Sequence, residues 1–313
     1  METSLWTIAV ATNRWALYAS VLIAVGSALF ILLMRLPERV ATAAARLGAI
    51  SAIIAIVCYG LAIAFGGAEM ITGGIEILLV PDTWAMGFDS TLGRSALAGG
   101  VAMVALLSGF RNGDRWVLGA GAALAVGSFL VTGHAATAAP VWLMSAMVAA
   151  HLACAAFWIG ALYPLFRATF LQSPADAGNV MVQFSRLAVW SVALLTTSGA
   201  VISWVQLRRL DSLVTTPYGW RLLVKLGLFA VLLAVAAYNK TVVTPQLTAG
   251  LSAGAARLGR MIRLEYVLYL LILGAAASLS LSEPPRALLR EVAPLARDAF
   301  ARDIIGTFGN LSR

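Results

Sequence analysis

The chain has 313 residues, of which 61% are hydrophobic and only 12% are charged. Soluble domains hold about 45–50% apolar and about 25% charged residues. This composition therefore excludes one or two soluble domains, and equally a disordered, collagenous or disulfide-built protein. The net charge is +8, but Lys and Arg gather in short breaks between apolar runs. That distribution marks orientation in a membrane rather than binding of nucleic acid, and no nucleic-acid partner is expected.

A helix needs about 20 apolar residues to cross the hydrocarbon of a bilayer. Residues 15–34 and 47–68 form the first two such runs, and 95–110 a shorter third. The charge-free stretch from Trp116 to Phe166 is too long for one crossing. It breaks in the Gly/Ala/Pro-rich segment from Thr132 to Pro140, giving spans over 116–133 and 141–166. Residues 187–207, 222–239 and 264–282 complete the set. The expected fold is an all-α membrane protein, a bundle of eight transmembrane helices within residues 1–285. The period-two alternation of a β-barrel is missing, and no cleavable signal peptide is expected, because the first run lacks a small-residue cleavage site.

The loops on one side carry Arg35, Arg39, Arg46, Arg111, Arg115, Arg167, Arg186, Lys240, Arg257, Arg260 and Arg263. Those on the other carry Arg14, Arg94, Arg208, Arg209 and Arg221. Basic loops stay in the cytoplasm, which places both termini outside. Met70–Val80 is apolar but too short to span, and reads as interfacial or re-entrant. In the tail, 286–313, apolar residues Leu288, Leu289, Val292, Leu295, Ala299 and Phe300 recur at helical spacing. An amphipathic helix lying on the outer face, in contact with membrane lipid, is expected there. Ser90-Thr91-Leu92-Gly93-Arg94 is echoed by Thr216-Pro217-Tyr218-Gly219-Trp220-Arg221, a hint of a four-plus-four parallel repeat.

Polar groups inside a membrane are costly and so point to function. There are only two histidines, His134 at the outer end of the fourth span and His151 inside the fifth. Along that fifth span Met144, Met147, His151, Cys154 and Trp158 are separated by alternating steps of three and four, which puts them on one helix face. Thioether, imidazole and thiol are the donors that soft cuprous copper prefers. A hard ion would need carboxylates and carbonyls, and zinc a tighter set of nitrogen and sulfur ligands. Methionine and free cysteine also fill apolar cores, so His151 carries this reading more than Met144, Met147 or Cys154. Lys225 and Glu265 read as structural: Lys225 snorkelling outward, Glu265 near the inner end within reach of Arg186 or Arg263. No phosphate loop or nucleotide fingerprint is present and no catalytic set is visible, so the chain is expected not to be an enzyme. Two histidines could serve at most one haem, which keeps a single-haem redox protein as an alternative.

Thr132-Gly133-His134-Ala135, His151-Leu152, Phe157-Trp158-Ile159-Gly160-Ala161-Leu162-Tyr163-Pro164-Leu165, Phe184-Ser185-Arg186-Leu187-Ala188, Thr216 to Lys225, and Asn239 together resemble the copper-resistance D family (CopD). The similarity is best from about residue 130 to 285. The resemblance implies an eight-helix protein of the bacterial inner membrane, with both termini periplasmic. It implies copper import from periplasm to cytoplasm, with a periplasmic copper-binding partner of the CopC type. The fused copper-binding domain of some relatives is lacking here. A membrane copper donor or assembly factor without net transport is the other alternative. Carried onto this chain, the histidines of the family are His134 and His151. They lie about 15 Å apart along the membrane normal at 1.5 Å per residue, too far for one site unless the helix breaks around Gly127 or Gly133. Two stations are therefore expected: His134 at the mouth, and His151 with Met147 at mid-membrane.

The orientation is directly testable. On a background without Cys58 and Cys154, a cysteine at Ser252 is expected to resist an impermeant thiol reagent in intact cells, while one at Ser312 reacts. Reversed labelling would end the topology.

Overall fold

A computed structural model describes residues 2–71, 75–132, 138–249 and 252–287, and within them the chain is helical throughout, with no strand. In chain order the elements are α1 (Glu2–Leu33), α2 (Glu38–Ala68), a 3₁₀ turn (Ile75–Leu79), α3 (Pro81–Asp89), α4 (Thr91–Asn112), α5 (Arg115–Ser128), α6 (Val141–Leu171), α7 (Pro174–Leu207), α8 (Ser212–Thr215) and α9 (Pro217–Tyr238). A π-helical turn (Asn239–Val243) then leads into α10 (Thr244–Thr248), followed by α11 (Ser252–Ser280). The expected tail helix over 286–313 falls almost wholly outside the described residues.

Among the described residues seven helices are long and apolar enough to cross a membrane, and the eighth expected span is not among them. The span expected over 116–133 is α5, which has 14 residues and reaches only about 21 Å, short of a hydrocarbon core of about 30 Å. Asp114 sets its start by accepting from the backbone N–H of Trp116 and Val117. Its end comes at Ser128, before the Gly133 break, because Phe129 and Leu130 close tight turns onto Val126 and Gly127. α5 still runs back along most of α4. Gly109 faces Leu118, Gly121 faces Leu106, and near the far end the Ser95 hydroxyl donates to the Ser128 carbonyl at 2.6 Å.

Most other helices overrun the apolar runs. α1 starts at Glu2, α2 at Glu38, α7 at Pro174 and α11 at Ser252. Charged residues mark where hydrocarbon ends, but Arg, Lys and Glu are good helix formers and carry the helix on into water. Within the segment read as interfacial, Met70–Val80, the described 3₁₀ turn Ile75–Leu79 packs with α3 against α2. Thr83 and Trp84 donate to the carbonyls of Ile77 and Leu78, while Gly67 and Gly87 lie against the backbone of Thr83 and Ile63.

The sequence echo has a structural counterpart. Ser90 caps α4 by accepting from Gly93 N–H at 2.9 Å and donates to Gly87 O at 2.6 Å. Thr216 caps α9 by accepting from Gly219 N–H at 3.0 Å and donates to Ser212 O at 2.6 Å. Each cap follows a short helix, α3 or α8. A Cβ at Gly93 or Gly219 would strike carbonyls of that helix, those of Gly87 and Phe88 or of Ser212 and Leu213.

The two halves meet where α1 crosses α6. Gly26 lies against the backbone of Ala156 and Gly160, and Gly160 against that of Gly26 and Ser27. Small residues permit such backbone contact in membranes, where lipid tails remove the hydrophobic drive for helix association. At one end of the bundle Arg14 donates to Ser280 O at 3.4 Å, and Trp15 donates to Leu270 O at 3.0 Å. The start of α1 and the end of α11 therefore lie at the same end.

Gly160→Leu is expected to destabilise the detergent-solubilised protein by at least about 1–3 kcal/mol, the usual cost of overpacking. Gly227→Leu, with open space around its Cβ position, is expected to melt like wild type. Equal melting curves for the two variants would contradict the crossing.

Candidate functional site

α6 is apolar over most of its length, so its few polar side chains are conspicuous. It begins after Pro140, whose ring cannot continue a helix on its N-terminal side, and runs 31 residues. Met144 is fully buried, Met147 and His151 are half-buried, and Cys154 and Trp158 are buried. The helix is continuous through these positions; His151 and Cys154 meet α7, and Trp158 meets α11.

His151 is anchored by α7. Its Nδ1 lies 3.2 Å from Leu195 O and 3.3 Å from Ser198 Oγ. A carbonyl can only accept, so Nδ1 is the protonated nitrogen and Nε2 keeps its lone pair. This is the arrangement in which a backbone carbonyl orients a metal-binding histidine. Ser198 is itself buried and donates to Leu195 O at 3.1 Å, so hydroxyl and imidazole share one carbonyl. Gly199 leaves the room, because a Cβ there would sit 3.1 Å from His151 Cε1. One turn further along α6, Ser191 Oγ reaches Cys154 O at 3.5 Å. Lys225, on α9, lies within electrostatic reach of the His151 ring and is half-buried.

His134 lies outside the described residues. Thr132, just before it, contacts Ser95 Oγ at 3.5 Å. Among the described residues no group of three His, Cys, Asp or Glu side chains converges on one point. What α6 offers is one oriented imidazole, with soft sulfur donors on the turns before and after it.

Glu265 does not pair with arginine. It is 4% exposed, accepting from Asn239 Nδ2 at 2.6 Å and Trp158 Nε1 at 3.4 Å. Arg263 instead donates to Gly259 O and lies over the Phe166 ring, and Arg186 is exposed. The expectation failed because α11 begins at Ser252, which puts Glu265 about halfway along a helix rather than near its inner end. Beside it, Tyr269 donates to Ala155 O at 2.6 Å. The sequence reading also passed over Ser191 and Ser198. Their seven-residue spacing in an apolar helix places both on one face, and that was the available signal.

Sequence comparison matches the family described as copper resistance protein D-like, N-terminal domain, over residues 2–140, and that described as copper resistance protein D over residues 178–279. Copper transport protein CutJ of Bacillus subtilis (strain 168) is 31% identical over 159 residues, covering 49% of this chain and 28% of that protein. The chain thus matches less than a third of that relative's length. No solved structure matches.

Removing the second contact to Nδ1 with Ser198→Ala is expected to weaken cuprous-ion binding about two- to tenfold, the worth of one hydrogen bond. Gly199→Val presses on Cε1 and is expected to weaken it more than about tenfold. Titration against a cuprous chelator reads both; wild-type affinity in Gly199→Val would contradict the anchoring.

Proposed function

We propose that the chain, which belongs to the copper resistance protein D family, carries copper across the bacterial inner membrane from periplasm to cytoplasm. It is a multi-pass membrane protein, and the reading adds α5 as an eighth, short crossing. The shared end of α1 and α11 supports an even number of crossings. The basic loops support a cytoplasmic placement of the opposite end, which leaves both termini in the periplasm. The name of the Bacillus relative, a copper transport protein, supports transport over a donor role. The reading includes no enzymatic activity.

One observation carries the site: His151 Nδ1 is committed to Leu195 O, so Nε2 is the free donor. Copper is cargo here. A passing ion needs ligands that hold it well enough to enter and loosely enough to leave. Two or three soft donors suit that better than a closed four-ligand cage. His151 supplies the nitrogen, Met147 the thioether one turn outward and Cys154 the thiol one turn inward, with buried Met144 completing the stripe. These donors favour the cuprous state. His134 is the ligand at the periplasmic mouth, where water or a CopC-type protein can also present copper.

His151→Ala is expected to abolish copper uptake while the protein still inserts, since alanine leaves no unpaired group in the helix. His134→Ala is expected to raise the copper concentration needed more than it lowers the maximum rate. Uptake against copper concentration, normalised to inserted protein, checks both. Wild-type uptake by His151→Ala would reduce the histidine to a packing residue.

A further inference from the structure

Glu265 is a carboxyl buried at mid-bundle among helices, and nothing in the transport path drawn so far uses it. Intramembrane carboxyls are rare, and each calls for a reason. An ionised carboxylate deprived of water is expensive unless paired with a cation, and among the described residues no Lys or Arg side chain pairs with Glu265. The partners of Glu265 are two neutral donors, Asn239 Nδ2 and Trp158 Nε1.

The hydrogen bonds of Glu265 involve none of the other charged or titratable groups on the neighbouring elements, and among these Arg167 keeps a buried Nε without a partner. Tyr269 donates to Ala155 O, Arg263 donates to Gly259 O and Arg14 reaches Ser280 O. Lys240 and Arg186 are exposed. On α6, Cys154 lies outward of Trp158 and Arg167 inward, Lys225 lies toward the outer end of α9, and Tyr266 follows Glu265 in the chain.

Asn239 is 1% exposed, and its Oδ1 is buried with no hydrogen-bond partner. That orphan acceptor sits beside the carboxyl. With Nδ2 turned toward Glu265 the amide suits a carboxylate; turned over, Oδ1 accepts from a protonated carboxyl. The π-helical turn begins at Asn239, and such turns recur at functional sites. Its opened carbonyl accepts from Thr244 Oγ1 at 2.9 Å, so the turn is held at one residue. The position matters as well. Trp158 follows His151 by two turns of α6, about 10 Å inward.

We propose that Glu265, read by Asn239 and Trp158, is the proton-linked counter-charge for copper held on α6. The carboxyl carries a proton when the mid-membrane station at His151 is empty. When a cuprous ion sits near His151, one proton leaves the carboxyl for bulk water, and the carboxylate balances the added charge. The proton returns when copper departs. A unit charge about 10 Å away at an effective dielectric near about 20 changes the balance by on the order of tenfold. The assignment rests on the copper reading above.

Infrared difference spectroscopy of the purified full chain, with and without cuprous ion, tests it. Copper is expected to remove the carbonyl band of a protonated carboxyl. Glu265→Gln should lack that change and bind copper about tenfold more weakly, while Glu265→Asp keeps the copper-induced loss of the band and most of the affinity. Should the Gln variant fail to accumulate, Asn239→Ala is expected to shift the band, because it removes the amide that reads the carboxyl. Copper binding by wild type without loss of the band overturns the proposal alone, as does the same band loss in Glu265→Gln or an unshifted band in Asn239→Ala. A wild type that binds no copper overturns the underlying reading, and this one with it.

Discussion

The molecule depends on a contact without side chains. At Gly26 and Gly160 the backbones of α1 and α6 touch, because neither residue carries a Cβ. In hydrocarbon such close packing supplies association that the hydrophobic effect cannot. The contact makes α6 central. α7 then covers one flank and supplies the carbonyl that orients His151, while α11 covers the other and brings Glu265 to Trp158.

From that placement sulfur, imidazole, thiol and indole fall in order along α6, and the carboxyl of α11 meets the indole. The imidazole, the indole and the carboxyl each have a neighbour that the packing has brought near, which is how a membrane interior tolerates polar atoms. The imidazole keeps one nitrogen free, and the carboxyl sits beside an amide with one acceptor unused. On the proposed reading these two loose ends are the working parts: one receives a soft cation, and the other adjusts the charge when the cation arrives. The paired caps at Ser90 and Thr216 and the α1–α6 crossing also give the two halves a common local design. The one histidine among the described residues, His151, lies in the second half.

The helical class and the positions of the long spans were legible, because apolar runs and basic breaks report directly on hydrocarbon and water. Helix ends were not, because Arg257, Arg260 and Arg263 are good helix formers and α11 continues through them. That error moved Glu265 toward the surface in the sequence reading and assigned it arginine partners. α5 was expected to be longer than the 14 residues it has, because glycine and alanine are apolar by composition, while the tight turns after Ser128 leave no mark in hydropathy. The methionine, histidine and cysteine face was legible from spacing alone. Its supports on α7, α9 and α11 were not, since contacts between distant helices have no period in the chain.

The central claim is that an oriented imidazole and neighbouring sulfur atoms hold copper inside the bundle. X-ray absorption at the copper edge, on the purified protein loaded with one equivalent of cuprous ion, tests this most directly. The account predicts a mixed nitrogen and sulfur shell with the outer scattering of a single imidazole, and loss of that imidazole signal in His151→Ala. An all-sulfur or all-oxygen shell, or an imidazole signal unchanged in His151→Ala, would contradict it.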